Sequence, residues 1–208
     1  MPLLRTIVLA SASPRRLELL RSLHLDVRAA PSGYAEPDDA SKTPRDLSRT
    51  HARYKCLEVR RRFPSDVVVG ADTAVDLDGT AYGKPAGRAD AARMLRALSG
   101  RSHLVHTAFA LAVPGRPAPV QACESTLVTF FALTASEIAA YVDSGEPYDK
   151  AGAYGIQGYG ATLVKRVEGD FFTVMGFPLA RFVRALRRLG FALPVANDDA
   201  YRTCAWPE

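Results

Sequence analysis

The sequence predicts an α/β fold built on a mixed sheet. Helix-like and strand-like segments alternate along most of the chain, which favours a sheet with helices packed on it. Two turn signals, Asp78-Gly79 and Pro114-Gly115-Arg116-Pro117, separate apolar runs and force antiparallel neighbours into that sheet. The 208 residues are 48% hydrophobic and 24% charged, enough for one sizeable domain, or two small lobes on a shared sheet, under a polar surface.

Residues 5–10 read as the first strand. Ser13-Pro14 opens a helix, with serine as N-cap and proline at the first helical position, and Leu17, Leu19, Leu20 and Leu23 supply its apolar face. A second strand over 25–29, a polar loop over 31–44 and a long basic helix over 44–62 follow. Residues 67–75 form a buried strand that turns at Asp78-Gly79. Residues 90–98 read as a helix with Ala91, Met94, Leu95 and Leu98 inward, stopped at Ser99-Gly100. Two long strands, 103–113 and 120–133, flank the Pro114–Gly115 turn. A helix over 136–144 begins after the cap-like Thr134. Then come a glycine-rich loop over 149–160, a strand over 162–167, a turn at Gly169-Asp170 and a short strand over 171–174. Residues 178–189 are the last helix. The expected organisation is one domain over 1–196 and a polar tail over 197–208.

The strand over 67–75 carries a carboxylate, Asp72, among valines and alanines. An ionised Asp alone in an apolar sheet costs several kcal/mol, roughly, unless a cation, a metal or hydrogen bonds compensate it. If Asp78-Gly79 closes a two-residue hairpin, residue 77 faces 80 and Thr73 faces Lys84, so Lys84 of Gly83-Lys84-Pro85 returns beside Asp72. These residues fit an active site, and they also fit a structural Asp–Lys pair in a core hairpin. Neighbours on a regular strand point to opposite faces. Asp72 and Thr73 therefore serve one site only if Thr73 acts through its backbone or the strand bulges.

Ser11-Ala12-Ser13-Pro14-Arg15-Arg16 lies at a strand-to-helix junction. Two arginines in a first helical turn oppose the helix dipole unless an anion is bound there. Free N–H groups, two hydroxyls and two guanidiniums could hold a polyphosphate, or the segment is a solvated basic start to an amphipathic helix. Glu36 in the polar loop and Lys55 on the basic helix read, taken singly, as solvated charges. The helix could instead meet nucleic acid, but no series of stacking aromatics accompanies it, so nucleic acid is not the expected partner. In Asp149-Lys150-Ala151-Gly152-Ala153-Tyr154-Gly155-Ile156-Gln157-Gly158 the glycines allow close approach to a ligand, Tyr154 could stack on a base and Gln157 could read its edge; a flexible linker is the plainer reading. His103 and His106 fall on opposite faces of a strand, and no serine or cysteine triad pattern is present, so covalent catalysis is not expected. Three scattered cysteines have neither metal spacing nor a disulfide framework, which makes a reducing cytoplasm the expected setting. No apolar run approaches the ~20 residues of a membrane span. The net charge of +5 suits an anionic ligand.

The pieces LASASPRR, Glu36, Ala52 to Lys55, GADT at 70–73, GKP at 83–85, LSGRSH at 98–103, DKAGAYGIQG at 149–158 and GFP at 176–178, in this order, resemble the Maf family of nucleoside triphosphate pyrophosphatases. The resemblance runs from about Leu9 to Gly190. It implies an elongated mixed sheet flanked by helices, with two lobes around a central cleft, and a homodimer. It also implies hydrolysis of a nucleoside triphosphate to monophosphate and pyrophosphate with a divalent metal, Mg²⁺ or Mn²⁺. By the same resemblance Asp72 is catalytic, Ser11, Ser13, Arg15, Arg16, Lys55 and Lys84 bind the phosphates, Glu36 is a functional acid, and Asp72 and Glu36 are the metal-binding candidates. Arg15, Thr73 and Gln157 match the subgroup that prefers dTTP and UTP over 7-methyl-GTP, in a role of clearing nucleotide pools. The family's link to septum formation implies an alternative, a nucleotide- or nucleic-acid-binding regulator of division without turnover. Cys56, Ala108 and Phe177 depart from the family pattern without touching a candidate catalytic group.

Overall fold

The structure, a computed structural model, describes residues 2–194. It is an α/β fold on a seven-stranded mixed sheet of order β2-β1-β3-β5-β6-β7, with β4 paired to β3 off that path. The strands are β1 (Thr6–Leu9), β2 (Asp26–Ala29), β3 (Val68–Leu77), β4 (Thr80–Tyr82), β5 (Ser102–Ala112), β6 (Val120–Phe130) and β7 (Val164–Glu168). β1 runs parallel to β2 and β3, and every other pair is antiparallel. The parallel part is short because only the crossovers through α1 (Pro14–Arg21) and α2 (Pro44–Arg62) give room for it; the rest is joined by turns.

The helices follow their local signals. Ser13 caps α1 and Thr43 caps α2, each before a proline at the helix start. Thr134 and Glu137 form a capping box on α4 (Ala135–Asp143). The hairpin at Asp78-Gly79 closes in the expected register, Leu77 opposite Thr80 and Val75 opposite Tyr82, but β4 ends at Tyr82 and Thr73 has no partner in it. The expected strand over 171–174 is instead a helix, α5 (Phe171–Met175). Its aromatic and β-branched residues favour a strand, but Asp170 accepts from Thr173 N at 2.9 Å and caps a helical turn that Gly176, at φ 111°, ends. The glycine-rich stretch is wound into short 3₁₀ turns at Glu146–Asp149, Ala151–Ala153 and Gly158–Leu163. The expected tail over 197–208 lies outside the described residues.

The long strands β3 and β5 hold two cores on one face. Toward one end, Val69, Ala71, Phe109 and Leu111 pack with Leu20 of α1 and Phe182 of α6 (Leu179–Arg188). Toward the other, Val75, Leu77 and Val105 pack with Leu95 of α3 (Arg88–Leu98) and Tyr141 of α4. Between the cores the same face is polar: Thr73 opposes Thr107, and α5 lies over them. The opposite face carries α2, whose Ala52, Cys56 and Val59 pack on Val68, Ala108 and Ala110. No helix among the described residues is long and apolar enough to cross a membrane.

Candidate active site

β3 pairs with β5 without a break from Val68 to Asp76. On its other edge it pairs with β1 at Val68 and Val69 and with β4 from Val75 to Leu77, so residues 70–74 have no strand partner there. A cavity of about 870 Å³ opens at this gap, lined by Asp72, Thr73 and Ala74 of β3. An open edge can be approached from both faces of a sheet. Asp72 and Thr73 point to opposite faces and yet both line one cavity, and the pairing with β5 runs through them without a bulge.

On one face Gly70 brings α2 close. A Cβ at Gly70 would lie 2.6 Å from Cys56 N and 2.8 Å from its Cβ, so only glycine admits the helix at this separation. The turn of α2 that rests there carries Lys55, whose Nζ lies 2.7 Å from Asp72 Oδ1 and 2.8 Å from Glu36 Oε1. Lys55 is thus a buried bridge between two carboxylates rather than a solvated charge. It, and not Lys84, is the cation that touches Asp72; Lys84 is exposed on the cavity wall. Burial raises the Asp72 pKa above the ordinary aspartate value, against the pull of Lys55 and Arg16. Burial also pushes Glu36 upward, but the hydrogen bond and charge of Lys55 prevail and hold it below the usual glutamate range.

On the other face stands the start of α1. Ser11 Oγ accepts from Ser13 N at 3.2 Å, and Ser13 Oγ caps Arg16 N. Arg15 lines the cavity and donates to Asp149 Oδ2 at 2.9 Å, which ties α1 to the glycine-rich segment across the cleft. Arg16 turns inward. It donates to Gly176 O at 2.9 Å, Ala71 O at 3.0 Å, Thr73 Oγ1 at 2.9 Å and Ser11 Oγ at 3.3 Å, so most of its donors are engaged by the protein. Desolvation lowers its pKa, opposed by Asp72 and Glu36.

The glycine-rich segment closes the cavity. Gln157 lines it and is exposed. Tyr154 is buried instead of free to stack, bonded through its hydroxyl to His103 Nε2 at 2.7 Å and packed edge-on to Phe130. The glycines serve close packing within the chain: a Cβ at Gly152 would sit 2.9 Å from Val75, and one at Gly158 would sit 2.8 Å from Glu146 Oε1. His51, one turn before Lys55 on the same side of α2, also lines the cavity and bonds Tyr34 Oη at 3.2 Å. Its four-residue spacing from Lys55 was the available signal, hidden among the many charges of that helix. Asp76, His106 and Ser125 form a hydrogen-bonded line on neighbouring strands, outside the cavity. Among the described residues no group of three or more His, Cys, Asp and Glu forms a metal cluster.

The model of the family described as Maf-like protein matches residues 6–189. A dTTP/UTP pyrophosphatase from Koribacter versatilis (strain Ellin345) is 45% identical over 184 residues, 88% of this chain and 94% of that protein. One from Bacillus velezensis (strain DSM 23117 / BGSC 10A6 / LMG 26770 / FZB42) is 44% identical, covering 88% and 96%. One from Symbiobacterium thermophilum (strain DSM 24528 / JCM 14929 / IAM 14863 / T) is 44% identical, covering 91% and 97%.

Proposed function

Since the chain belongs to the Maf-like protein family, we propose that it is a nucleoside triphosphate pyrophosphatase that hydrolyses dTTP and UTP to the monophosphate and pyrophosphate. The observation that carries this reading is the Glu36–Lys55–Asp72 bridge set in the wall of a nucleotide-sized cavity. Hydrolysis of a phosphoanhydride needs a positioned water, a base for its proton and neutralisation of the phosphate charge. Asp72 is the base: burial raises its pKa, so it holds a proton more tightly than a free aspartate. Lys55 keeps Asp72 and Glu36 together without neutralising both. Arg15 and Lys84, on the cavity wall, meet the triphosphate. Ser11, Ser13 and the start of α1 frame its oxygens, while Arg16 secures that frame.

The donor set also fits a divalent cation. Asp72 and Glu36 each have one oxygen on Lys55 and a second with no protein partner among the described residues, and Mg²⁺ commonly takes one or two carboxylates and completes its shell with substrate phosphates. Such an ion supplies charge neutralisation and a more acidic water. A cytoplasmic setting and a homodimeric assembly belong to the same reading.

A nucleotide panel with pyrophosphate detection, run with and without Mg²⁺ or Mn²⁺, tests it. The expected result is metal-dependent release from dTTP and UTP, well above that from 7-methyl-GTP. Binding of these nucleotides with no turnover under any metal would favour a regulator.

A further inference from the structure

Resting on the reading above, we propose that Thr107 is a positioning residue that fixes the polarity of the Thr73 hydroxyl, so that the cleft selects a base carrying an N–H donor. Thr107 is fully buried opposite Thr73 on β5 and does not line the cavity, whereas Thr73 does. The polarity follows from counting protons. Thr107 Oγ1 lies 2.7 Å from the Thr173 carbonyl, which can only accept, so the single Thr107 hydroxyl proton goes there. Thr107 Oγ1 also lies 2.9 Å from Thr73 Oγ1. With its own proton spent, Thr107 must accept, and Thr73 must donate to it. Thr73 then has no proton left to offer the cavity. One of its lone pairs takes Arg16 Nη2 at 2.9 Å, and the other remains.

The relay β3–β5–α5 thus leaves Thr73, a residue of the cavity lining, with an acceptor-only hydroxyl for a base bound in the cleft. Uracil and thymine carry an N3–H donor between two carbonyls. That group satisfies such an oxygen, and a base with its N3 proton replaced by methyl does not. The sequence alone could not show this, because Thr107 reads as an ordinary strand residue.

Wild type, Thr107→Val and Thr107→Ser should be compared on UTP and on N3-methyluridine triphosphate by kcat/KM, with thermal melting as the check of folding. Wild type should favour UTP. In Thr107→Val the Thr73 proton loses its acceptor and turns toward the cleft. Use of UTP should then fall about tenfold, the scale of one buried hydrogen bond, while use of the methylated nucleotide holds, so the ratio collapses. Thr107→Ser restores the relay and the ratio. The bulk of the methyl group is the same for every variant, so a Thr107→Val ratio equal to wild type overturns the proposal, as does a wild type that does not distinguish the two nucleotides. If Thr107→Val does not fold, Thr107→Cys, a poor acceptor of similar size, replaces it with the same expectation. A wild type that releases no pyrophosphate from UTP overturns the hydrolase reading instead. The two ratios are then taken from nucleotide binding by calorimetry, with the same outcomes deciding.

Discussion

Asp72 is caught between burial and a cation. Desolvation raises its pKa while Lys55, 2.7 Å away, resists the rise. As the proposed base it works only when ionised, so activity is lost as pH falls through a value above 3.8, the ordinary aspartate value. The acidic limb of kcat/KM should therefore lie above the range of a free aspartate, and a profile that stays flat down to that range would exclude Asp72 as the base. Asp72→Asn, close in shape, should keep the fold and lose at least ~10²-fold in turnover; pyrophosphate release from the folded variant checks this. Gln157, proposed to read the base, bears on a different question. Its exposed amide can both donate and accept at a pyrimidine edge, whereas an ionised glutamate only accepts. Gln157→Glu should lower kcat/KM for dTTP and UTP relative to 7-methyl-GTP, and an unchanged ratio would remove Gln157 from base selection.

The meeting of α2 and β3 shows how elements set the site. Gly70→Ala places a methyl against Cys56 N and the Ala52 carbonyl, backbone atoms that cannot swing aside. Pushing α2 outward loosens the core at Ala52, Cys56 and Val59 and draws Lys55 away from Asp72. The expected cost is about 1–3 kcal/mol, as for overpacking, with a loss of activity in the remaining folded protein; urea unfolding alongside kinetics separates the two. Much of this scale was legible in the sequence. Ser13-Pro14 marked the start of α1, Thr134 the start of α4, and Asp78-Gly79 the hairpin register, because caps and tight turns act within a few residues. What the sequence hid was the partner of Asp72. A hairpin points to Lys84, a local neighbour, whereas Lys55 arrives through the packing of a helix 17 residues away in sequence, and the role of Gly70 in that packing is visible only in three dimensions. α5 was misread because Phe171 to Val174 favour a strand by type, although Asp170 and Gly176 bracket it as a helix.

At the scale of the molecule, two cores share β3 and β5 and leave a polar strip between them, where the cleft lies. The lobe built on α3 and α4 holds the glycine-rich segment through Tyr154 and the buried His103. Burial lowers the His103 pKa from 6.5 to about 4, and its Nδ1 has no hydrogen-bond partner among the described residues. An unfolded chain takes up that proton first as pH falls. The stability that the neutral ring contributes is therefore complete above about pH 6.5 and is lost as pH falls toward 4, a change of up to about 3 kcal/mol. Denaturation across this window should show a shallower loss in His103→Asn than in wild type, and equal slopes would assign the acid sensitivity elsewhere. The gap in the edge of β3 has one more effect, on descent. Even positions, Gly70 and Asp72, look to α2, and the odd position, Thr73, looks to α1 and α5; in the proposed function the first face serves hydrolysis and the second the choice of base. On that proposal, selectivity can change by substitution at Thr73 or Gln157 while hydrolysis is kept. A single codon inserted between 70 and 72 reverses the parity of Asp72 and Thr73 relative to Gly70 and displaces both at once.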